Sequence, residues 1–232
     1  MSGYDRALSI FYLVFHRENL YIYTMKKIFS LDKKFENEFE FCRNYSHRCM
    51  THFYGFLIKK DRTIGFIYEF MCNGSLSDFI SSQEKDINDE LFSIITIIRL
   101  SQGINYLHSN FLIHRDIKPS NILLDHDLIP YISDFDRVLN LKAKQDNEFT
   151  SDIGSSLYAS PEQYNSNNYS YPTDIYSFGK IIYFLFEKKH MIDETSFQME
   201  NSSQIIQELY NHCIQTDPIN RPTNEEIKNM IN

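Results

Sequence analysis

The sequence predicts an α+β fold in two lobes within a single domain spanning 1–232. A small β-rich N-terminal lobe with one main helix covers about 1–70, and a larger, mostly helical C-terminal lobe covers about 75–232. Three observations predict it. Up to residue 70 the apolar residues fall in short aromatic and β-branched runs. Beyond "CNGS" (72–75) they recur at helical spacing. A dense polar cluster at 114–121 then lies between apolar flanks. Branched and ring-bearing side chains suit a pleated surface, whereas a 3.6-residue period marks a helix with one buried face.

The elements follow in order. "FYLVF" (11–15) and "LYIYTMKKI" (20–28) read as strands joined by the polar "HREN", a hairpin without an Asn-Gly turn. "KFENEFEFCRNY" (34–45) places Phe35, Phe39 and Cys42 on one helical stripe, and strands are expected at 53–59 and 64–70. Ser75 with Asp78 forms an S-x-x-D cap for a short helix, and Asp89 opens a long one through Leu107. "YSFGKIIYFLF" (176–186) is apolar nearly all round, so it reads as a central buried helix. Ile205, Ile206, Leu209, Cys213 and Ile214 line a further helix, and Thr223 with Glu226 caps the last. A cleft between two such lobes is where a ligand is expected.

Composition narrows the function. With 42% hydrophobic and 23% charged residues the chain reads as a globular protein. A net charge of −8 argues against nucleic-acid binding through a basic field. Four cysteines without C-x-x-C pairing fit a reducing compartment, the cytoplasm or the nucleus. His47 and Cys49 could begin a zinc site, but no second pair follows at ligand spacing. No apolar run approaches the ~20 residues of a membrane span, and Asp5 and Arg6 interrupt any signal peptide.

Two segments carry chemistry. "LIHRDIKPSNILL" (112–124) packs His114, Arg115, Asp116, Lys118 and Asn121 between apolar flanks, a costly arrangement unless the members pair or react. Asp116 could accept a proton, Lys118 could neutralise a developing anion, and Asn121 could ligate a metal. "ISDFDRV" (132–138) adds Asp134 and Asp136, which an extended chain points to one side. The pair reads either as a metal site or as the polar face of a strand end.

The first segment resembles the catalytic loop of eukaryotic protein kinases, H-R-D-x-K-P-x-N, with Lys118 and Pro119 in the pattern of the serine/threonine type. The resemblance extends over nearly the whole chain. "SDFD" stands where kinases place D-F-G. "GSSLYASPE" (154–162) is similar to the segment ending in A-P-E, with Ser155 at the substrate-docking threonine. "TDIYSFG" (173–179) resembles the start of the central helix, and "DPINRPT" (217–223) supplies Arg221 as partner of Glu162. "IYTMKKI" resembles the strand bearing the phosphate lysine, and "IYEFMCNGSL" (67–76) the hinge, about 68–74, with Tyr68 as gatekeeper. The hinge and "NGSL" resemble the tyrosine-kinase-like group. Taken alone, Lys26 and Glu38 read as surface charges, Asp174 as a helix cap, and Arg221 with Glu162 as an ordinary salt bridge. Their order around an intact loop reverses those readings.

The resemblance implies roles. Asp116 is the catalytic base and Lys118 its partner at the transferring group. Lys26 and Glu38 position the phosphates of ATP, while Glu69, Met71, Asn121 and Leu123 complete the nucleotide site. Asn121 and Asp134 hold Mg²⁺, with Mn²⁺ as an alternative. Asp174 braces the catalytic loop, and Thr150 or Ser151 could carry a phosphate docking on Arg115. The implied activity is phosphoryl transfer from Mg-ATP to Ser/Thr hydroxyls of protein substrates in intracellular signalling, with no nucleic-acid or membrane partner and the oligomeric state open.

Several residues depart from the family pattern. Tyr4, Arg6 and Ser9 stand where the phosphate-covering glycines belong, and the chain opens on this loop, which leaves an incomplete N-terminus open. Phe11 and Thr24 crowd the adenine roof, at ~1–3 kcal/mol for small-to-large changes. Asp136 replaces the D-F-G glycine. If that position needs φ > 0, the Asp costs about 1–2 kcal/mol. At ~6 Å it repels Asp134 by about 3 kcal/mol at an effective dielectric near 20. These departures motivate a rival reading, a pseudokinase acting as scaffold or allosteric module.

Overall fold

The computed structural model describes residues 10–18, 20–59, 62–82, 89–143, 157–165, 169–191 and 199–231. The N-terminal lobe is a four-stranded antiparallel sheet of β1 (Phe11–Phe15), β2 (Ile22–Lys27), β3 (Phe53–Lys59) and β4 (Arg62–Glu69), in the order β1-β2-β4-β3. Its hairpin register sets Phe11 opposite Lys26 and Leu13 opposite Thr24, so Phe11, Leu13, Thr24 and Lys26 share one face. Helix α1 (Lys33–Asn44) crosses that sheet, its N-terminus capped by Asp32, which accepts from the Phe35 amide at 3.1 Å.

The expected stripe of α1 is displaced. Phe35 and Phe39 do pack, against Phe66 and Phe56 of the sheet, but they stay half-buried, and the residues taken fully inside are Glu38 and Phe41. The helix serves two surfaces, sheet rings on one side and the site below on the other. A single apolar stripe sees only the first.

The C-terminal lobe begins with α2 (Leu76–Ser82), where the Ser75 hydroxyl accepts from the Asp78 amide at 3.1 Å. Helix α3 (Asp89–Ser109) leads to β5 (Leu112–Ile113), β6 (Ile122–Leu124), β7 (Pro130–Ile132) and β8 (Leu139–Asn140), paired β5–β8 and β6–β7. β5 and β6, largely buried, flank the polar loop and anchor it. After α4 (Pro161–Asn165), α5 (Tyr171–Glu187) runs through the core and is buried from Thr173 to Leu185. It starts five residues earlier than the apolar run implies, because Ser170 and Thr173 cap it in a box. Helix α6 (Gln204–Cys213) lies so close that a Cβ on Gly179 would sit 2.7 Å from that of Cys213. Leu209 and Cys213 face this contact, whereas Ile205, expected on the same stripe, is exposed. Thr223 and Glu226 cap α7 (Asn224–Ile231) reciprocally, at 2.7 and 3.3 Å.

The kinase-like α+β architecture expected from the sequence is therefore the observed one. Among the described residues no helix is long and apolar enough to cross a membrane.

Candidate active site

Three segments distant in sequence meet on one ammonium group. Lys26, buried on β2, donates to Glu38 of α1 at 2.8 Å and to Asp134 at 2.6 Å. Burial opposes a charged lysine, yet the Asp134, Glu38 and Asp136 carboxylates outweigh it and hold the pKa well above the ordinary range. Asp134 is half-buried; desolvation would raise its pKa, but Lys26 prevails and lowers it. Tyr68, at the lobe junction, donates its hydroxyl to the second oxygen of Glu38 at 2.6 Å and lies 3.1 Å from the Cys42 sulfur. Glu38 is thus held at both oxygens. Tyr68→Phe removes one charge-assisted bond and should cost about 1.5–3 kcal/mol, read as a lower urea midpoint; an unchanged midpoint would show that the Tyr68 bond adds nothing to the hold on Glu38.

Beneath these groups lies a cavity of about 300 Å³ whose lining includes Phe11, Thr24, Lys26, Tyr68, Met71 and Leu123. Glu69, Asn121 and Asp134 reach it as well, so every nucleotide-site residue expected from the sequence borders one space. Phe11 and Thr24 stand on its roof without filling it. Its size is within the range of small-molecule sites. Its apolar end lies at the hinge and its charged end at Lys26 and Asp134, which suits a base at one side and phosphates at the other. Asn121 commits its amide nitrogen to Asp116, leaving the amide oxygen to join the Asp134 carboxylate as hard oxygen donors of the kind Mg²⁺ prefers.

The catalytic-loop residues converge on one carboxylate. Lys118 donates to Asp116 Oδ2 at 2.8 Å and Asn121 donates to the same oxygen at 3.0 Å. Arg137 Nε lies 3.9 Å from it. His114 Nδ1 accepts from the Asp116 amide at 3.3 Å, so its proton sits on Nε2, 3.1 Å from the Ser133 carbonyl. Asp174 at the start of α5 accepts from the His114 amide at 2.8 Å, the Arg115 amide at 2.9 Å and His108 at 3.0 Å. That bracing matters for Arg115, whose φ of 70° lies in the left-handed region.

Asp174 is fully buried, and burial would raise its pKa, but the His108 bond and charge prevail and lower it. Glu162 is likewise lowered against burial by Arg221. A depressed carboxylate contributes its full stability above the unfolded value, near 4, and loses it as pH falls through the folded one. The urea midpoint should therefore be insensitive to these groups above about pH 5 and fall below about pH 4. Asp174→Asn should flatten the acid limb, and an unchanged limb would exclude Asp174 as its source.

The paired acids separate. Asp134 borders the large cavity, whereas Asp136 lines a second cavity of about 110 Å³ bounded by Lys26, Phe35, Glu38 and Phe66. The left-handed φ of 65° falls on Asp134, and Asp136 has no positive φ. The backbone penalty expected for Asp in place of glycine is therefore absent. The electrostatic cost remains: burial first, then the Asp134 charge, push Asp136 up to about 7, and its Oδ1 has no hydrogen-bond partner among the described residues. Phe135 between them is buried and stacks on Phe41 at 4.0 Å, with His114 edge-on at 5.6 Å.

Some expected features lie outside the described residues: Tyr4, Arg6 and Ser9 of the phosphate loop, and Thr150, Ser151 and Ser155 of the later segment. His47, considered for zinc, stacks on Tyr106 at 4.6 Å. The Glu162–Arg221 pair forms as a two-pronged bridge at 2.6 and 2.8 Å. Sequence reasoning missed the Tyr68–Glu38 bond and Arg137. For Arg137 the available signal was a lone cation directly after two closely spaced acids.

Comparison with known proteins agrees with this geometry. The family model described as the protein kinase domain matches residues 7–231. Cysteine-rich receptor-like protein kinase 24 of Arabidopsis thaliana is 28% identical over 236 aligned positions, covering 86% of this chain and 37% of the relative. A probable serine/threonine-protein kinase of Dictyostelium discoideum is 32% identical over 72% of this chain and 20% of its own length. Cysteine-rich receptor-like protein kinase 11 of Arabidopsis thaliana is 36% identical over 71% of this chain and 26% of its own length. This chain thus spans well under half of each of these relatives. The match runs through both lobes and the cleft between them, and the chain belongs to the protein kinase domain family.

Proposed function

We propose that this chain is a serine/threonine kinase domain that transfers the γ-phosphoryl group of Mg-ATP to hydroxyls of protein substrates. The observation that carries the reading is the unbroken polar chain from Tyr68 through Glu38 and Lys26 to Asp134, beside an Asp116 held by Lys118 and Asn121. Lys26 would neutralise phosphate oxygens, with Glu38 fixing its ammonium. Asp134 and Asn121 would hold the cation, and Glu69, Met71 and Leu123 would border the base. When bound, Mg-ATP supplies the transferable phosphoryl group and the charge that balances Asp134.

Asp116 would orient the serine or threonine hydroxyl and accept its proton. The known donors converge on Oδ2, which directs the reading to Oδ1 as the accepting atom. Lys118 would hold the carboxylate in place and steady the negative charge that develops beside it. A place in intracellular signalling, in the cytoplasm or nucleus, belongs to the same proposal.

The test is transfer of labelled phosphate from Mg-ATP, or Mn-ATP, to a generic Ser/Thr protein such as casein by purified chain. Incorporation on serine and threonine is expected. Background transfer would favour the pseudokinase alternative, which the buried Asp136 oxygen, without a hydrogen-bond partner among the described residues, motivates.

A further inference from the structure

Arg137 belongs to none of the motifs that define the site, yet it stands at the centre of its charge balance. Four carboxylates, Glu38, Asp116, Asp134 and Asp136, gather around two lysines, Lys26 and Lys118. Among the described residues Arg137 adds a further cation to this group. Its Nε lies 3.9 Å from Asp116 Oδ2, the oxygen also held by Lys118 and Asn121, and its side chain is 29% exposed. It follows Asp136 in sequence, so a guanidinium close to the base is carried by the backbone neighbour of the additional acid. Burial and then the Asp134 charge raise the Asp136 pKa, and Lys26 and, to a lesser extent, Arg137 oppose them.

The contact at Asp116 is longer than a hydrogen bond, so it acts through charge rather than through a directed donor. Its placement is also structural. Asp116 belongs to the loop between β5 and β6, and Arg137 to the segment after β7 that carries Asp134. An ion pair across these segments links the proton acceptor to the residues proposed to hold the cation.

We propose that Arg137 is a positioning residue for the phosphoryl transfer described above, holding the Asp116 carboxylate while balancing the negative charge that Asp136 adds beside it in the chain. The inference rests on that functional reading. Arg137 here offsets a cost that Asp136 introduces, and its value to catalysis depends on Asp136 being an acid.

The experiment is a cycle on the purified full chain: wild type, Arg137→Gln, Arg137→Lys, Asp136→Asn and the Asp136→Asn/Arg137→Gln pair, with kcat and KM measured for ATP and casein. Arg137→Gln should lower kcat about tenfold and change KM for ATP less than about twofold. Arg137→Lys, which keeps the charge, should retain at least about half of the wild-type kcat. In the Asp136→Asn background the same Gln substitution should cost no more than about threefold, the signature of coupling.

Wild-type kcat in Arg137→Gln, an effect confined to KM for ATP, or an equal loss in both backgrounds would each overturn the assignment. So would a Lys variant as slow as Gln, since a purely packing role predicts it. If Arg137→Gln does not fold, the Lys variant decides: a tenfold fall there overturns the proposal. A wild type without transfer refutes the functional reading and this assignment with it, whereas an active wild type with an indifferent Arg137 refutes the assignment alone.

Discussion

Asp116→Asn should lower kcat by about 10²- to 10⁴-fold, the range expected when a positioned proton acceptor is removed. The amide is nearly the same size as the carboxylate, and Lys118 and Asn121 can still bond to its oxygen. The buried neighbourhood is therefore preserved. What is lost is the basic atom and its negative charge, so binding in the cavity beyond Asn121 should be little affected. Single-turnover transfer with labelled ATP measures the loss, and the urea midpoint checks the fold. A variant as fast as wild type would remove Asp116 from the proton path and, with it, the proposed mechanism.

Arg221→Ala should destabilise the fold by about 3–5 kcal/mol, because it removes a buried cation and strands the half-buried Glu162 carboxylate with three backbone carbonyls. The guanidinium is almost wholly inside and bonds twice to Glu162, at 2.6 and 2.8 Å. It also donates to the Pro172 carbonyl at 2.9 Å, the Gln215 carbonyl at 2.7 Å and the Thr216 carbonyl at 3.2 Å, and lies over the Tyr176 ring. One side chain thereby ties α4, α5 and the turn after α6. Against the 5–15 kcal/mol that holds a typical domain together, this is a large fraction. The Glu162→Gln/Arg221→Ala pair should cost less than the sum of the single changes, since each leaves the other's group unsatisfied. Urea unfolding reads all four proteins. A loss below about 1 kcal/mol for Arg221→Ala would mean that the site relaxes and admits water.

The sequence made the frame of the site legible because its motifs are local. Asp116, Lys118 and Asn121 lie within six positions, and their bonds follow from one turn of chain. The helix caps at Ser75 and Thr223 were equally readable, since a cap involves residues three apart. Contacts decided by tertiary packing were not. The Tyr68 hydroxyl meets Glu38 across the lobe, and neither residue's neighbours in sequence indicate it. The buried face of α1 was misplaced because an acid, Glu38, holds an inward position that a hydrophobic pattern assigns to solvent. Asp134 and Asp136 were expected on one side by the alternation of an extended strand. The chain leaves β7 before them, and the left-handed turn at Asp134 directs the two acids to different cavities.

The meeting of Lys26 with Asp134, 108 positions apart, also has a kinetic side. Contacts of such long range repay their loop-closure entropy only after both lobes have taken shape. The stack of Phe135 on Phe41 closes over a comparable span, so it should be absent from an early folding nucleus. Weakening that stack should leave the refolding limb of a chevron nearly unchanged and steepen the population of open molecules through faster unfolding. The ring between the two acids then serves as a late latch, setting how long the assembled cleft persists once it has formed.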